Sequence, residues 1–329
     1  MAFDGTDVNA GILGTVAARY EDTYATRATG NTGYPIGVIK TATFRRIDDY
    51  ITQGGIRDSR EAYGFYNHRY HYEALTEGQI QDILPFFMAL GKISTTGASA
   101  PYTHDIDILR GDTGGTAEYL PSWTLEGRYH SDSDTDITLL GCTVNDWTFT
   151  FPVDDAATFS LNWIAKEKGA QLANVSGATD DVFAPPIVDI LIDDDAATYN
   201  GGTSVKGVNN LTISGSNSLD IHYDHGAKTI RQPYMGNVKD TLTGSLDRKY
   251  IDTDLTALVD GSVFSMKIEM DRNATSDYID VFIDGCYITN AAILNMTDGS
   301  AIDNTPIDFT FTSIRVDGKN SNAEYETVT

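Results

Sequence analysis

The chain has 329 residues, 41% of them hydrophobic, which is enough to bury ordinary cores and excludes a disordered polymer. Its net charge is −24, from 37 Asp and 10 Glu against 23 Lys and Arg, and the excess divides evenly between residues 1–164 (net −11) and 165–329 (net −13). Acidity spread over a whole folded surface repels nucleic-acid phosphates and anionic lipid, and it also suits a protein kept soluble in high salt. No apolar run approaches the roughly 20 residues needed to span a bilayer.

In chain order, the N-terminus lacks the basic start and apolar core of a Sec-type leader, so none is expected. ATFRRI at 42–47 and FYNHRYHY at 65–72 alternate weakly and read as strands. Residues 76–90 predict a helix, because Ile80, Ile83, Leu84 and Phe87 fall on one face. Thr76 with Gln79 fits a capping box, Gly91 fits a C-terminal cap, and Pro85 predicts a kink or a break. HDIDIL at 104–109 is a further weak strand. WTFTF at 147–151 and FSLNW at 159–163 read as a hairpin, as do LTIS at 211–214 and LDIHY at 219–223 across GSNS. A short helical turn is expected at 253–259. VFSMKIEM at 263–270 alternates Phe264, Met266, Ile268 and Met270 with Val263, Ser265, Lys267 and Glu269, the pattern of a half-buried strand. DVFIDGCYI at 280–288 and DFTFTSIRV at 308–316 are the last two strands. The expected fold is therefore mainly β with one helix packed on a sheet.

Gly141-Cys142-Thr143-Val144-Asn145 resembles Gly285-Cys286-Tyr287-Ile288-Thr289, which lies 144 residues further on, nearly half the chain. A second match sets Val144–Thr148 against Val208–Thr212. Both cannot define one repeat, so duplication stays open at this point.

The chemistry-bearing residues are sparse. GDTGG at 111–115 has Thr113 where a trypsin-like nucleophile loop needs serine, and a second Asp-Thr/Ser-Gly for an aspartic dyad is missing. Asp132, Asp134 and Asp136 begin like a calcium loop, but Ile137 and Thr143 stand where an EF-hand needs Gly and Glu. His68 and His71, and likewise His222 and His225, have odd spacing that would put each pair on opposite faces of a strand. Cys142 and Cys286 are far apart and without close His or Cys partners, which argues for two separate buried thiols rather than a disulfide framework or a zinc site. The expectation is a non-enzyme with no catalytic, cofactor-binding or metal-binding residues.

PSWTLE at 121–126, followed by GCTVNDWTFTFPVDDAATFSLNWIAKE at 141–167, is similar to the tail tube proteins of long-tailed bacterial and archaeal viruses. Val208-Asn209-Asn210-Leu211-Thr212-Ile213 and the later Gly-Cys phrase extend the resemblance over residues 34–316. Trp147 stands where that family commonly has Leu. The resemblance implies a β-sandwich or half-barrel unit with a flanking helix, possible twice in this chain, over residues 1–170 and 171–329. It implies homo-oligomeric rings, trimeric if duplicated and hexameric if not, stacked into a tube in the virion and assembled in the host cytoplasm. It also implies contacts with tape measure, terminator and tip proteins, and double-stranded DNA passing without specific binding through a lumen lined by part of the Asp excess. An acidic, halophilic surface or adhesive β-sandwich protein is the alternative.

Overall fold

The computed structural model describes residues 14–26, 34–53, 64–109, 119–129, 136–170, 182–183, 188–193, 196–204, 208–236, 241–248, 261–273, 276–291 and 305–320. Among the described residues, eighteen antiparallel strands and one short helix make up the fold, as the alternation predicts. The strands are β1 (Gly14–Tyr20), β2 (Tyr34–Pro35), β3 (Val38–Gln53), β4 (Gly64–Gln79), β5 (Gly91–Thr96), β6 (Tyr102–Ile108), β7 (Trp123–Tyr129), β8 (Ile137–Pro152), β9 (Thr158–Ala165) and β10 (Glu167–Lys168). They continue with β11 (Val188–Asp193), β12 (Thr203–Ser204), β13 (Val208–Ser216), β14 (Thr243–Arg248), β15 (Phe264–Asn273), β16 (Asp277–Ala291), β17 (Thr305–Thr310) and β18 (Ser313–Asn320).

Three sheets share two long strands. The central sheet has the order β3-β4-β9-β8-β13-β14-β17-β16. The first half of β8 leaves it to join β2-β1-β7-β8-β10. The first half of β16 leaves it in the same way to join β12-β11-β15-β16-β18-β6-β5. Both hand-offs fall at a glycine in the left-handed region, Gly141 at φ +67° and Gly285 at φ +62°. A side chain there would be strained, and a Cβ on Gly285 would come within 2.2 Å of Thr312 Oγ1.

The helix, α1 (Leu84–Leu90), corrects the sequence-based boundary of 76–90. Residues 76–79 finish β4, where Ala74, Thr76 and Ile80 are buried at the period of a strand. The Thr76–Gln79 capping box is therefore absent, and Thr76 Oγ1 instead accepts from Trp163 Nε1 at 2.9 Å. Pro85 sits at the start of the helix rather than inside it, where its missing N–H costs nothing. Gly91 does close the helix, at φ +89°. All seven helical residues are buried: Phe86 stacks on Phe149 of the central sheet at 4.2 Å, and Phe87 meets Trp123 of β7 edge-on at 5.1 Å. The helix thus fills the gap between two sheets.

The 147–163 hairpin and the strands at 42–47, 65–72, 104–108, 264–270 and 280–288 are present. The expected 211–223 hairpin is not, because β13 pairs with β14 and β8 instead. Residues 308–316 hold two strands rather than one, broken where Thr312 N–H and Oγ1 both donate to Asp284 O. The helical turn expected at 253–259 lies outside the described residues.

The pairing pattern of β1–β4 and β7–β10 recurs in β11–β14 and β15–β18. The recurrence extends to irregularities: the bulge of β3–β4 at Ile39/Thr41 reappears in β13–β14 at Val208/Asn210. The bulge of β7–β8 at Trp123/Leu125 reappears in β15–β16 at Phe264/Met266, and that of β8–β9 at Val144/Asp146 in β16–β17 at Ile288/Asn290. Three bulges in matched places are hard to reach by chance, since each fixes a local register.

Candidate functional site: a hydroxyl-rich sheet face with two open edges

The central sheet has two unlike faces because its strands alternate. The inner face carries Phe149, Phe159, Ile213 and Phe309, all at most 2% exposed. Gly78 and Gly244 make room there for Phe159 and Phe309; a Cβ on Gly244 would lie 2.2 Å from Phe309 Cζ.

The outer face is polar. One cross-strand row runs Thr41, Glu77, Ser160, Thr148, Ser214, Thr243, Thr310, Tyr287, one residue from each of the eight strands. The next row holds Thr158, Thr150, Thr212, Ser245 and Asp308. Neighbouring hydroxyls meet across the strands, Ser214 with Thr243 at 3.0 Å and Thr150 with Thr212 at 3.5 Å. Hydroxyl ladders of this kind hold a pleated surface together without charge. The charged residues on the face are Asp49, Glu73, Glu77, Asp146, Asp247 and Asp308 against Arg45, whose Nε donates to Glu73 at 2.7 Å, and Arg69, whose guanidinium lies over the Tyr223 ring at 4.9 Å. The face is thus rich in neutral donors and acceptors and poor in free cations.

The sheet ends openly on both sides. Among the described residues, β3 pairs only with β4, and residues 287–291 of β16 pair only with β17. The corresponding part of β8 is flanked on both sides, by β9 and β13. Open edges with unpaired N–H and C=O groups are templates for another strand.

A second charged feature lies on the outer sheet of the C-terminal half. Asp105, Asp317, Asp280, Glu269 and Asp189 stand directly opposite one another across five strands. Lys267 reaches Glu269 at 2.6 Å and Asp280 at 2.9 Å, and Arg315 reaches Asp317 at 3.0 Å. Burial and the neighbouring carboxylates still hold Asp280 and Asp317 above the ordinary aspartate range.

The motifs singled out in the sequence scatter. Residues 111–115, Asp132 and Asp134 lie outside the described residues, and Asp136 pairs with Arg128 at 3.1 Å. His71 Nδ1 meets Tyr223 Oη at 3.0 Å, and His222, which is not in a strand, meets Asp220 at 2.8 Å. Cys142 and Cys286 are free and fully buried, and burial pushes both thiols up. Sequence reasoning missed Glu21, which is 3% exposed and braces the first hand-off: its carboxylate accepts from Gly141 N–H at 3.1 Å, Thr124 Oγ1 at 2.8 Å and Ala25 N–H at 2.9 Å. It also missed Asn217, whose Nδ2 donates to Ala89 O at 3.0 Å and Val144 O at 2.9 Å and so clasps the β8–β13 junction. Lone polar residues in loops carry no periodic signal.

A mainly antiparallel protein with a polar sheet face and, among the described residues, two open sheet edges has the features of a structural protein. The sequence matches the family model of phage tail tube proteins over residues 11–313, and the chain belongs to that family. It is a structural component of a viral tail. No curated protein matches the sequence.

Proposed function

We propose that this chain closes into rings that stack into a tail tube, and that the hydroxyl-rich face of the central sheet lines the bore through which double-stranded DNA leaves the virion. The observation that carries the reading is the unbroken polar row across eight strands, open at both ends. Recurrence of the same strand set, bulges included, favours two tube units per chain, over residues 1–170 and 171–329, and hence a three-chain ring. Three copies of an eight-stranded sheet, spaced about 4.8 Å and tilted about 40°, close at a backbone radius of about 24 Å. After subtracting side chains, that bore clears a B-form duplex.

The surface chemistry suits passage. DNA is held by cations that neutralise phosphates. A wall of hydroxyls and carboxylates, whose Arg45 is paired with Glu73 and whose Arg69 lies over the Tyr223 ring, repels the backbone and gives it little to grip. The structural role requires no catalysis. Assembly in the host cytoplasm and contacts with tape measure, terminator and tip proteins follow from the same role.

Native mass spectrometry and negative-stain microscopy of the assembled chain test the ring, with three times 35.8 kDa expected per ring. Asp247→Lys with Asp308→Lys tests the bore: ejection slows and duplex retention becomes salt-dependent. Unchanged ejection would assign these carboxylates to solubility instead.

A further inference from the structure

We infer that the end of β16, residues 287–291, pairs with β3 of a second copy of this chain, in the register already present inside the chain between β8 and β13. The inference rests on the ring reading and adds to it which edges meet and in which alignment.

The warrant is the recurrence of pairing. The matched bulges set β16 equivalent to β8, with Cys286 on Cys142 and Asn290 on Asp146. They set β3 equivalent to β13, with Thr41 on Asn210. Within the chain, β8 and β13 pair from Asp146↔Ser216 to Pro152↔Asn210. Carried over, Asn290 of one copy faces Ile47 of the next, and Ala291 faces Arg46. Because the two edges are different surfaces, the contact is head-to-tail and repeats around an axis until it closes.

Burial supplies an independent observation. At the internal junction Thr143 and Val144 are 1% exposed, and Leu211 and Ile213 are 0%. Their counterparts at the open ends are uncovered: Tyr287 is 47% exposed, Ile288 and Phe44 are half-buried, and Ala42 is exposed. The same positions that are sealed where a neighbouring strand is present lie open where it is missing, which is the pattern a missing neighbour leaves. The occupant is therefore a second copy, since the chain itself contains the complementary strand.

The joint between copies is weaker than the joint within one. The internal junction has a second ladder, β18–β6, and the Asn217 clasp. Asn217, the residue after β13, corresponds to Asp48 on β3, which ion-pairs with Arg46 at 2.7 Å. Rings should open between chains before any chain unfolds.

Cysteine pairs test the register. Directly opposed antiparallel residues lie about 4.5–5.5 Å apart, within disulfide reach. Arg46→Cys with Ala291→Cys, oxidised in rings confirmed by native mass, is expected to give covalent closed trimers on denaturing gels. Arg46→Cys with Asn290→Cys puts the thiols on opposite faces and should give none; Cys142 and Cys286 are buried and do not compete. Rings without the cross-link, or with the off-register cross-link, would overturn the seam and leave the ring reading standing. Failure to form rings at any concentration would remove both. Ala42→Asp is a second arm: Ala42, the counterpart of Leu211, is exposed in the single chain, so the monomer should keep its melting temperature while rings are abolished, and rings surviving it count against the seam.

Discussion

Gly285 is a sharp place to test the account of the shared strands. Replacing it with Ala imposes two separate costs: a left-handed backbone at φ +62°, and a Cβ placed 2.2 Å from Thr312 Oγ1. The first is about 1–2 kcal/mol and the second about 1–3 kcal/mol. Gly226→Ala isolates the first, because Gly226 has φ +82° with nothing within 4 Å of the added atom. With an unfolding entropy of about 0.7 kcal/mol/K for a chain of this length, Gly226→Ala should lower Tm by about 2 °C and Gly285→Ala by about 5 °C. Repeating Gly285→Ala in a Thr312→Ala background should recover part of the difference, since the nearest remaining atom is the Cβ at 3.2 Å. The assay is differential scanning calorimetry on the four variants. If Gly285→Ala costs no more than Gly226→Ala, the crowded left-handed hand-off is not what fixes the strand between its two sheets.

Other outcomes follow from the same geometry. Phe149→Ala removes the ring that Phe86 stacks on and should cost about 3–5 kcal/mol by urea denaturation. Asn217→Leu leaves the carbonyls of Ala89 and Val144 without their donor and should cost about 1–3 kcal/mol in the same assay. Asp317→Asn relieves a residue flanked by Asp105 and Asp280 and should raise Tm slightly at low salt, with the gain fading as sodium chloride is added. Asp271, Asp280, Asp317 and Glu21 all titrate above their ordinary values, burial being the first cause of each. The folded state therefore holds more protons than the unfolded one, so these groups add stability as pH falls from neutral toward the carboxylate range and lose it as pH rises. Melting curves between pH 7 and pH 5 check the sign.

The sequence shows strands wherever one face is buried. Phe264, Met266, Ile268 and Met270 alternate because the inner side of β15 is core, and all four are at most 2% exposed. It hides which strands pair. GSNS at 215–218, where β13 ends, has turn chemistry, yet Asn217 is spent on Ala89 and Val144, and the chain travels on to Thr243 before β13 finds β14. The helix start was misplaced because Thr76 and Ile80 fit both periods, and only the ladder of β4 with β9 decides between them. The two competing sequence matches also resolve. Val144–Thr148 and Val208–Thr212 are alike because β8 and β13 are adjacent strands of one sheet presenting the same faces. The Gly-Cys phrases are alike because each marks a hand-off between sheets. The polar face of the central sheet was the least legible part: its threonines and serines look like ordinary solvent-facing residues until the registers line them up.

The passage of β8 and β16 through two sheets has a mechanical side. One unbroken backbone runs from the outer sheet into the inner one, so a pull on either layer is carried by covalent bonds into the other. Hydrogen bonds on both halves of such a strand must then yield together under load, rather than peel one after another. Gly141 and Gly285 are the two points at which these strands turn from one layer into the other.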